Sequence, residues 1–135
     1  MDMNVTINVE KGPGSRNFSC FMVEDVQDFG LSGFGPTAKD AIKDLYVAKD
    51  EIKEELEKEG KEMPNLNFTF KFDVGSLFDY YSYLNISGVA KKAGINASLM
   101  RQYASGVHKP SSKRLAVIET ALKDMAKEIH SVALW

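Results

Sequence analysis

The stretch from Ile86 to Pro110 constrains the fold most, because the spacing of its small and turn-forming residues is typical of two short helices joined by a tight turn. Ala90 precedes Gly94 by four residues, which puts a small side chain where two helices would cross at a tight turn. Glycine adopts a left-handed backbone at little cost, as such a turn requires. Asn96 is a good N-cap for a following helix. We therefore predict two short helices that meet at Gly94.

The second of these helices should have an inner and an outer face. We expect the apolar residues of the stretch to pack inward, and Ser98, Arg101 and Gln102 to face outward. Gly106 should end the helix, and Pro110 blocks its continuation. The residues predicted to pack inward are Val89, Ala93, Ile95, Leu99, Met100 and Tyr103.

The pattern Val-Ala-x-x-Ala-Gly-Ile, followed by Met100, Tyr103, Gly106 and Pro110, resembles the helix-turn-helix of phage-repressor-type (Cro/repressor, XRE-like) domains. The resemblance covers roughly residues 73–135. The alternative is a small helical bundle with an incidental turn. In a helix-turn-helix the second helix enters the major groove of DNA. The base-contacting candidates are then Asn96, Ala97, Ser98, Arg101, Gln102 and Ser105, and the phosphate-contacting candidates are Lys91, Lys92, His108 and Lys109.

Charge is distributed unevenly along the chain, although the formal net charge is only −2. Residues 85–135 hold eight Lys or Arg against three acids, a balance of +5. Nine bases and sixteen acids remain in residues 1–84, a balance of −7. Such asymmetry indicates two modules with different partners. The basic module can meet phosphate, and the acidic one can attract a basic protein.

The N-terminal part shows strand periodicity. Residues 4–10 alternate apolar and polar side chains, and residues 17–23 form a second predicted strand. The turn between them is predicted at Lys11-Gly12-Pro13-Gly14-Ser15. After an acidic loop at residues 24–28, a short third strand is predicted over residues 29–34 despite its glycines.

A long amphipathic helix should follow these strands. Thr37 is its predicted N-cap, with Asp40 at the third helical position, and Gly60 should end it. Residues 66–72 then alternate Leu66, Phe68, Phe70 and Phe72 with polar side chains, the strongest strand signal in the chain. The predicted fold class is α+β, a small β-β-β-α-β domain over residues 1–72 followed by an all-α bundle over residues 73–135.

The first and the last helix of the bundle should each carry an apolar stripe. Val74, Leu77, Phe78 and Tyr81 form one face of its first helix. Ser111 or Ser112 caps a final helix, which carries Leu115, Ile118, Leu122, Met125, Ile129 and Val132 at alternating spacings of three and four. Part of this stripe must close the core. The remainder is either core as well or a dimer seam, and the spacing leaves both open.

The N-terminal element order and the segment Gly33-Phe34-Gly35-Pro36-Thr37-Ala38-Lys39-Asp40-Ala41 resemble the N-terminal domain of HicB-type antitoxins. The resemblance implies a partial ribonuclease-H-like fold that blocks a small basic, mRNA-cleaving (HicA-like) toxin. It also implies a C-terminal domain that binds double-stranded operator DNA and represses the shared operon. A homodimer or tetramer is expected. The hairpin at residues 12–15 and the loop at residues 25–28 depart from the family pattern.

Catalysis is not expected. A two-metal nuclease needs converging carboxylates, whereas Glu10, Asp25, Asp28 and Asp40 belong to strand ends, a loop and a helix start. His108 is placed for a phosphate and His130 for solvent, and Cys20 lies in a strand as core or sheet surface. We therefore predict a non-enzyme with no cofactor and no metal site.

The sequence also leads to an expected cellular location and leaves two alternative functions open. The start Met-Asp-Met-Asn-Val-Thr does not resemble a signal peptide, and no apolar run approaches a membrane span, so a cytoplasmic protein without membrane contact is expected. One alternative function is a stand-alone transcriptional regulator with a ligand-sensing or assembly N-terminal domain. Another is a pure protein-interaction module, in which the +5 balance would be incidental.

Overall fold

The computed structural model describes residues 2–12 and 16–135, and over these it is a mixed α+β structure with a four-stranded mixed sheet and five helices. Pro13, Gly14 and Ser15 of the predicted first turn lie outside the described residues. No helix of the described part is long and apolar enough to cross a membrane. The elements are β1 (Asp2–Lys11), β2 (Phe18–Met22), β3 (Ser32–Gly35), α1 (Ala38–Lys58), β4 (Asn65–Phe72), α2 (Val74–Tyr80), α3 (Ile86–Ala93), α4 (Ala97–Ser105) and α5 (Ser112–His130).

The strands lie in the order β3-β2-β1-β4. β1 pairs with β2 antiparallel, and β2 pairs with β3 in the same way. β1 also pairs with β4, but in parallel, with Val5 opposite Phe68 and Val9 opposite Phe72. A parallel neighbour needs a long crossover, and the chain makes it through β2, β3 and α1.

One face of the sheet is buried against α1. Val5, Ile7 and Val9 on this face are almost fully buried because strand side chains alternate between faces. Ala41 and Leu45 of α1 are buried opposite them. The predicted strand periodicity is thus confirmed, and the apolar side chains of residues 4–10 form the centre of the first hydrophobic cluster.

Two glycines of β3 explain how α1 approaches the sheet. A Cβ at Gly33 would lie 2.3 Å from the Ala41 carbonyl oxygen, and one at Gly35 would lie 2.6 Å from Asp40 Cβ. β3 therefore carries glycine where the helix backbone comes closest, although glycine is a poor strand former.

The third strand is shorter than predicted and begins at Ser32 rather than residue 29. The β2–β3 register pairs Phe21 with Ser32, so the residues before Ser32 have few β2 partners. Beyond the end of β2, Val23 N donates instead to Thr6 O of β1 at 2.9 Å. The predicted start of the strand was wrong because the end of β2 limits its pairing.

A second hydrophobic cluster lies among α2, α3, α4 and α5. Its buried residues are Val74, Val89, Ala90, Ile95, Met100, Tyr103 and Ile118. Side-chain caps begin these helices, with Asn85 accepting from Gly88 N at 2.8 Å and Ser111 accepting from Arg114 N at 3.2 Å. The four helices therefore pack around one core, which includes Ile95 beside the turn at Gly94.

α2 connects the two clusters. Ser76 Oγ donates to Val9 O of β1 at 2.7 Å, and Asp79 Oδ2 accepts from Ala38 N at the start of α1 at 2.7 Å. Asp73 caps α2 through Ser76 N at 2.9 Å and also accepts from Lys11 N at 3.1 Å. A helix that begins at the predicted domain boundary is thus hydrogen-bonded to both β1 and α1.

Candidate nucleic-acid interface

α3 and α4 meet at Gly94, whose φ of 70° is left-handed. A Cβ there would meet nothing within 4 Å, so the backbone angle rather than crowding favours glycine. Ile95 N donates to Ala90 O at 2.9 Å, and the Ile95 side chain is buried. Ile95 therefore packs beneath the turn, and the predicted left-handed glycine is confirmed.

Asn96 caps α4. Its Oδ1 accepts from Ser98 N at 2.8 Å and from Leu99 N at 3.4 Å, which satisfies two of the free amides at the helix start. Only the Nδ2 amino group of Asn96 is then left for another partner. The predicted cap is confirmed, and it restricts what this base-contacting candidate can offer.

α4 presents a polar face on the side opposite its buried residues. Met100 and Tyr103 lie in the second cluster. Ser98, Arg101 and Ser105 are exposed and Gln102 is partly exposed. The spacings of three, one and three place these four residues on one helical face. Ala97 is only partly buried but packs against the cluster, so the structure does not bring this predicted base contact onto the outer face.

The polar groups of this face differ in their hydrogen bonding. Ser105 Oγ donates to Gln102 O at 3.1 Å within the same helix. Within residues 2–12 and 16–135, the Arg101 side chain has no ion pair or hydrogen-bond partner. Its guanidinium is free to meet an incoming acceptor, and arginine presents its donors in a rigid fork suited to such pairing.

The predicted phosphate contacts lie on the two sides of α4 in the chain, before its start and after its end. Lys91 and Lys92 occupy the last turn of α3. His108 and Lys109 follow α4, and both are exposed. Val107 N donates to Gln102 O at 3.1 Å, which holds this loop against the end of α4. The four candidates therefore precede and follow α4 along the chain.

Among the residues that the structure describes, Lys92 is the one of these four whose side chain forms an ion pair. Its Nζ forms an ion pair with Glu128 Oε1 of α5. The hydrogen bond to this carboxylate raises the pKa of Lys92 above its ordinary value. Lys92 thus links α3 to α5, a role that the sequence reasoning missed because the two residues are far apart in the chain.

Two further cations begin α5 and were not predicted as site residues. Lys113 and Arg114 are exposed in its first turn. Lys113 shares a shallow hollow between α3 and α5 with Lys92 and Asp124. The cap at Ser111, with two basic residues in the helical turn that it begins, is the sequence signal that could have singled them out.

The other titratable residues do not gather into a site. Within the described residues, no three of the His, Cys, Asp and Glu side chains are placed to hold a metal ion. Asp28 forms an ion pair with Lys61 at 3.3 Å. Cys20 is buried, its Sγ lies 3.1 Å from Ala41 O, and burial raises its thiol pKa to about 11. Its thiolate is therefore scarce at neutral pH.

Comparison with known proteins adds no family to this description. The chain matches no family model, no curated protein and no solved structure. The functional argument therefore depends on the geometry of α3, α4 and the residues around them.

Proposed function

We propose that the chain is an antitoxin-like DNA-binding protein, in which α3 and α4 act as a helix-turn-helix on double-stranded operator DNA. Residues 1–72, which we interpret as a partial ribonuclease-H-like domain, would neutralise a small basic, mRNA-cleaving, HicA-like toxin. The helical part would repress the operon that encodes both proteins. We expect a cytoplasmic homodimer or tetramer that needs no cofactor.

The observation that carries the DNA-binding proposal is the outer face of α4. Ser98, Arg101 and Gln102 lie on the side of the helix opposite Met100 and Tyr103, which are anchored in the core. Arginine can bond guanine O6 and N7 together, and glutamine can bond adenine N6 and N7 together. The major groove is wide enough to admit an α-helix, and α4 would enter it with this face toward the bases.

The charge distribution supports the two binding roles. Residues 85–135 carry a balance of +5, which favours contact with the phosphate backbone. Residues 1–84 carry −7, which favours association with a basic protein. The exposed sheet face, opposite α1, offers polar side chains such as Asn4, Asn67 and Thr69 to such a partner.

The DNA-binding role is tested by selecting sequences from a random duplex library with the full chain. We expect enrichment of a palindromic site and competition by that site far above random duplex. Failure to enrich any sequence, under conditions where the protein is folded, would contradict the repressor role.

The antitoxin role needs its own test. The reading frame beside this gene is expressed alone and together with the full chain, and growth and mRNA integrity are followed. We expect a small basic product that cleaves mRNA, and suppression of that cleavage by the chain. A neighbouring product that is harmless, or one that stays toxic in the presence of the chain, would contradict this role.

A further inference from the structure

The two halves of α5 bury their apolar stripe differently. In the first half, Ile118 and Ala121 are buried in contact with the other helices. In the second half, the same periodicity continues to Ile129, whose surface is 64% exposed. Between them, Leu122 and Met125 pack against the second cluster as partly buried residues. The stripe is therefore core from Ile118 to Met125 and exposed at Ile129.

An apolar groove runs beside the second half of α5. It has a volume of about 310 Å³ and is lined by Leu77, Tyr81, Leu84, Leu122, Met125 and Ile129, among other residues. No charged side chain lines it. Burial raises the pKa of the Tyr81 hydroxyl, as an apolar surrounding does for an acid. The walls thus suit an uncharged, apolar occupant.

The residues after α5 have the chemistry of such an occupant. Val132, Leu134 and Trp135 are all exposed. Residues 131–135 carry no charged side chain. Three exposed apolar side chains next to an open apolar groove are typical of an interaction site.

We propose that a second copy of the chain occupies this groove. The second halves of two α5 helices would pack antiparallel about a two-fold axis near Ile129, and residues 132–135 of each copy would lie in the groove of the other. This interface deepens the oligomer expected of the proposed repressor, but its geometry does not depend on DNA binding.

The lengths of the two segments are compatible with this exchange. Leu122 to Ile129 spans about 10 Å along the helix at about 1.5 Å per residue. The four residues 132–135 in extended form reach about 13 Å. With the axis at Ile129, the segment after one helix therefore passes Met125 and Leu122 of the other copy.

The lining of the groove favours a copy of the chain over a basic toxin at this place. It has no charged side chain with which the bases of a toxin would pair. A second copy instead brings Val132, Leu134 and Trp135, whose exposed apolar side chains match the groove. Two-fold symmetry makes each such contact occur twice.

The first test measures the mass of the full chain by light scattering during size-exclusion chromatography. We expect at least twice the 15.0 kDa of one chain, and we expect Ile129→Lys to halve the mass of the assembly. Val47→Lys on α1 is the matched control, because Val47 is 53% exposed and far from the groove in sequence. It should keep the wild-type mass. A monomeric wild type, or an Ile129→Lys variant of wild-type mass, would overturn the proposal.

The second test uses Trp135, the one tryptophan in the sequence. Its emission should be blue-shifted in the assembly and should shift to the red on dilution and in Ile129→Lys. Leu134→Lys gives the same readout should Ile129→Lys fail to fold, as judged by circular dichroism. Solvent-exposed emission from an assembled wild type would overturn the exchange of residues 132–135. DNA binding is measured separately on the same samples, so a failed interface and a failed repressor role give different results.

Discussion

At the scale of single residues, we expect Arg101 to contact a base of the DNA and Lys91 to contact a phosphate. Arg101 lies on the outer face of α4, whereas Lys91 lies in the last turn of α3. Arg101→Ala should weaken binding to the selected site by about 1–3 kcal/mol and affect random duplex little. Lys91→Ala should weaken both duplexes evenly and lower the salt slope by about one.

Competition assays with both variants against both duplexes check this difference. Lys91→Ala serves as the control for the loss of one positive charge. Equal losses on the two duplexes for Arg101→Ala would mean that Arg101 contacts phosphate and reads no base.

Glu24 gives a residue-scale prediction about pH. Its Oε1 accepts from Thr6 N at 2.7 Å, and this hydrogen bond holds the pKa of the carboxyl below its ordinary value. The stability it contributes is therefore complete above the unfolded pKa of about 4.3 and is lost as pH falls through the lower folded value. Glu24→Gln should show a shallower loss of stability below pH 5 in urea titrations. Identical acid dependence in the two proteins would show that this contact contributes nothing.

At the scale of secondary-structure elements, the seating of α1 on β3 depends on Gly33. Gly33→Ala would place a methyl group 2.3 Å from Ala41 O and 2.5 Å from Leu45 N, so helix and strand must separate. We expect a loss of about 1–3 kcal/mol in the free energy of unfolding. Gly30→Ala is the matched control, because nothing lies within 4 Å of a Cβ there. Chemical denaturation compares the two, and equal stability would contradict the close packing.

At the scale of the whole molecule, DNA binding should need two copies of the chain and should weaken as the salt concentration rises. Each neutralised phosphate contributes about −0.9 to the slope of log K against log salt. Two helix pairs related by a two-fold axis should engage half-sites about one helical turn apart. Titrations at several salt concentrations, with palindromic and single half-site duplexes, check both points. Full affinity of a monomer for a single half-site would contradict the prediction.

The features that the sequence predicted well are those decided by near neighbours. The left-handed turn at Gly94, the helix end at Gly106 and the caps at Thr37 and Asn96 depend on a few consecutive residues, and all four are confirmed. Binary alternation likewise located the strands, because it depends only on which face is buried.

The features that the sequence did not predict depend on residues far apart in the chain. The parallel pairing of β1 with β4 joins segments about sixty residues apart, and nothing local encodes it. Ser76 bonds to Val9 and Lys92 pairs with Glu128 over similar or shorter separations. Local pattern was therefore enough to predict the outward-facing residues of α4. It was not enough to predict that Lys92 pairs with Glu128.

The bond between Ser76 and Val9, 67 positions apart, has a consequence for the order in which the chain is made. A ribosome releases β1 first, and β1 then has only β2 and β3 within reach until β4 and α2 have been translated. Contacts of such long sequence separation form late and slow folding. The acidic half of the molecule thus matures only when synthesis has entered the helical half. A ribosome that stalls before residue 76 leaves a nascent chain whose sheet lacks one edge strand or the helix that secures it.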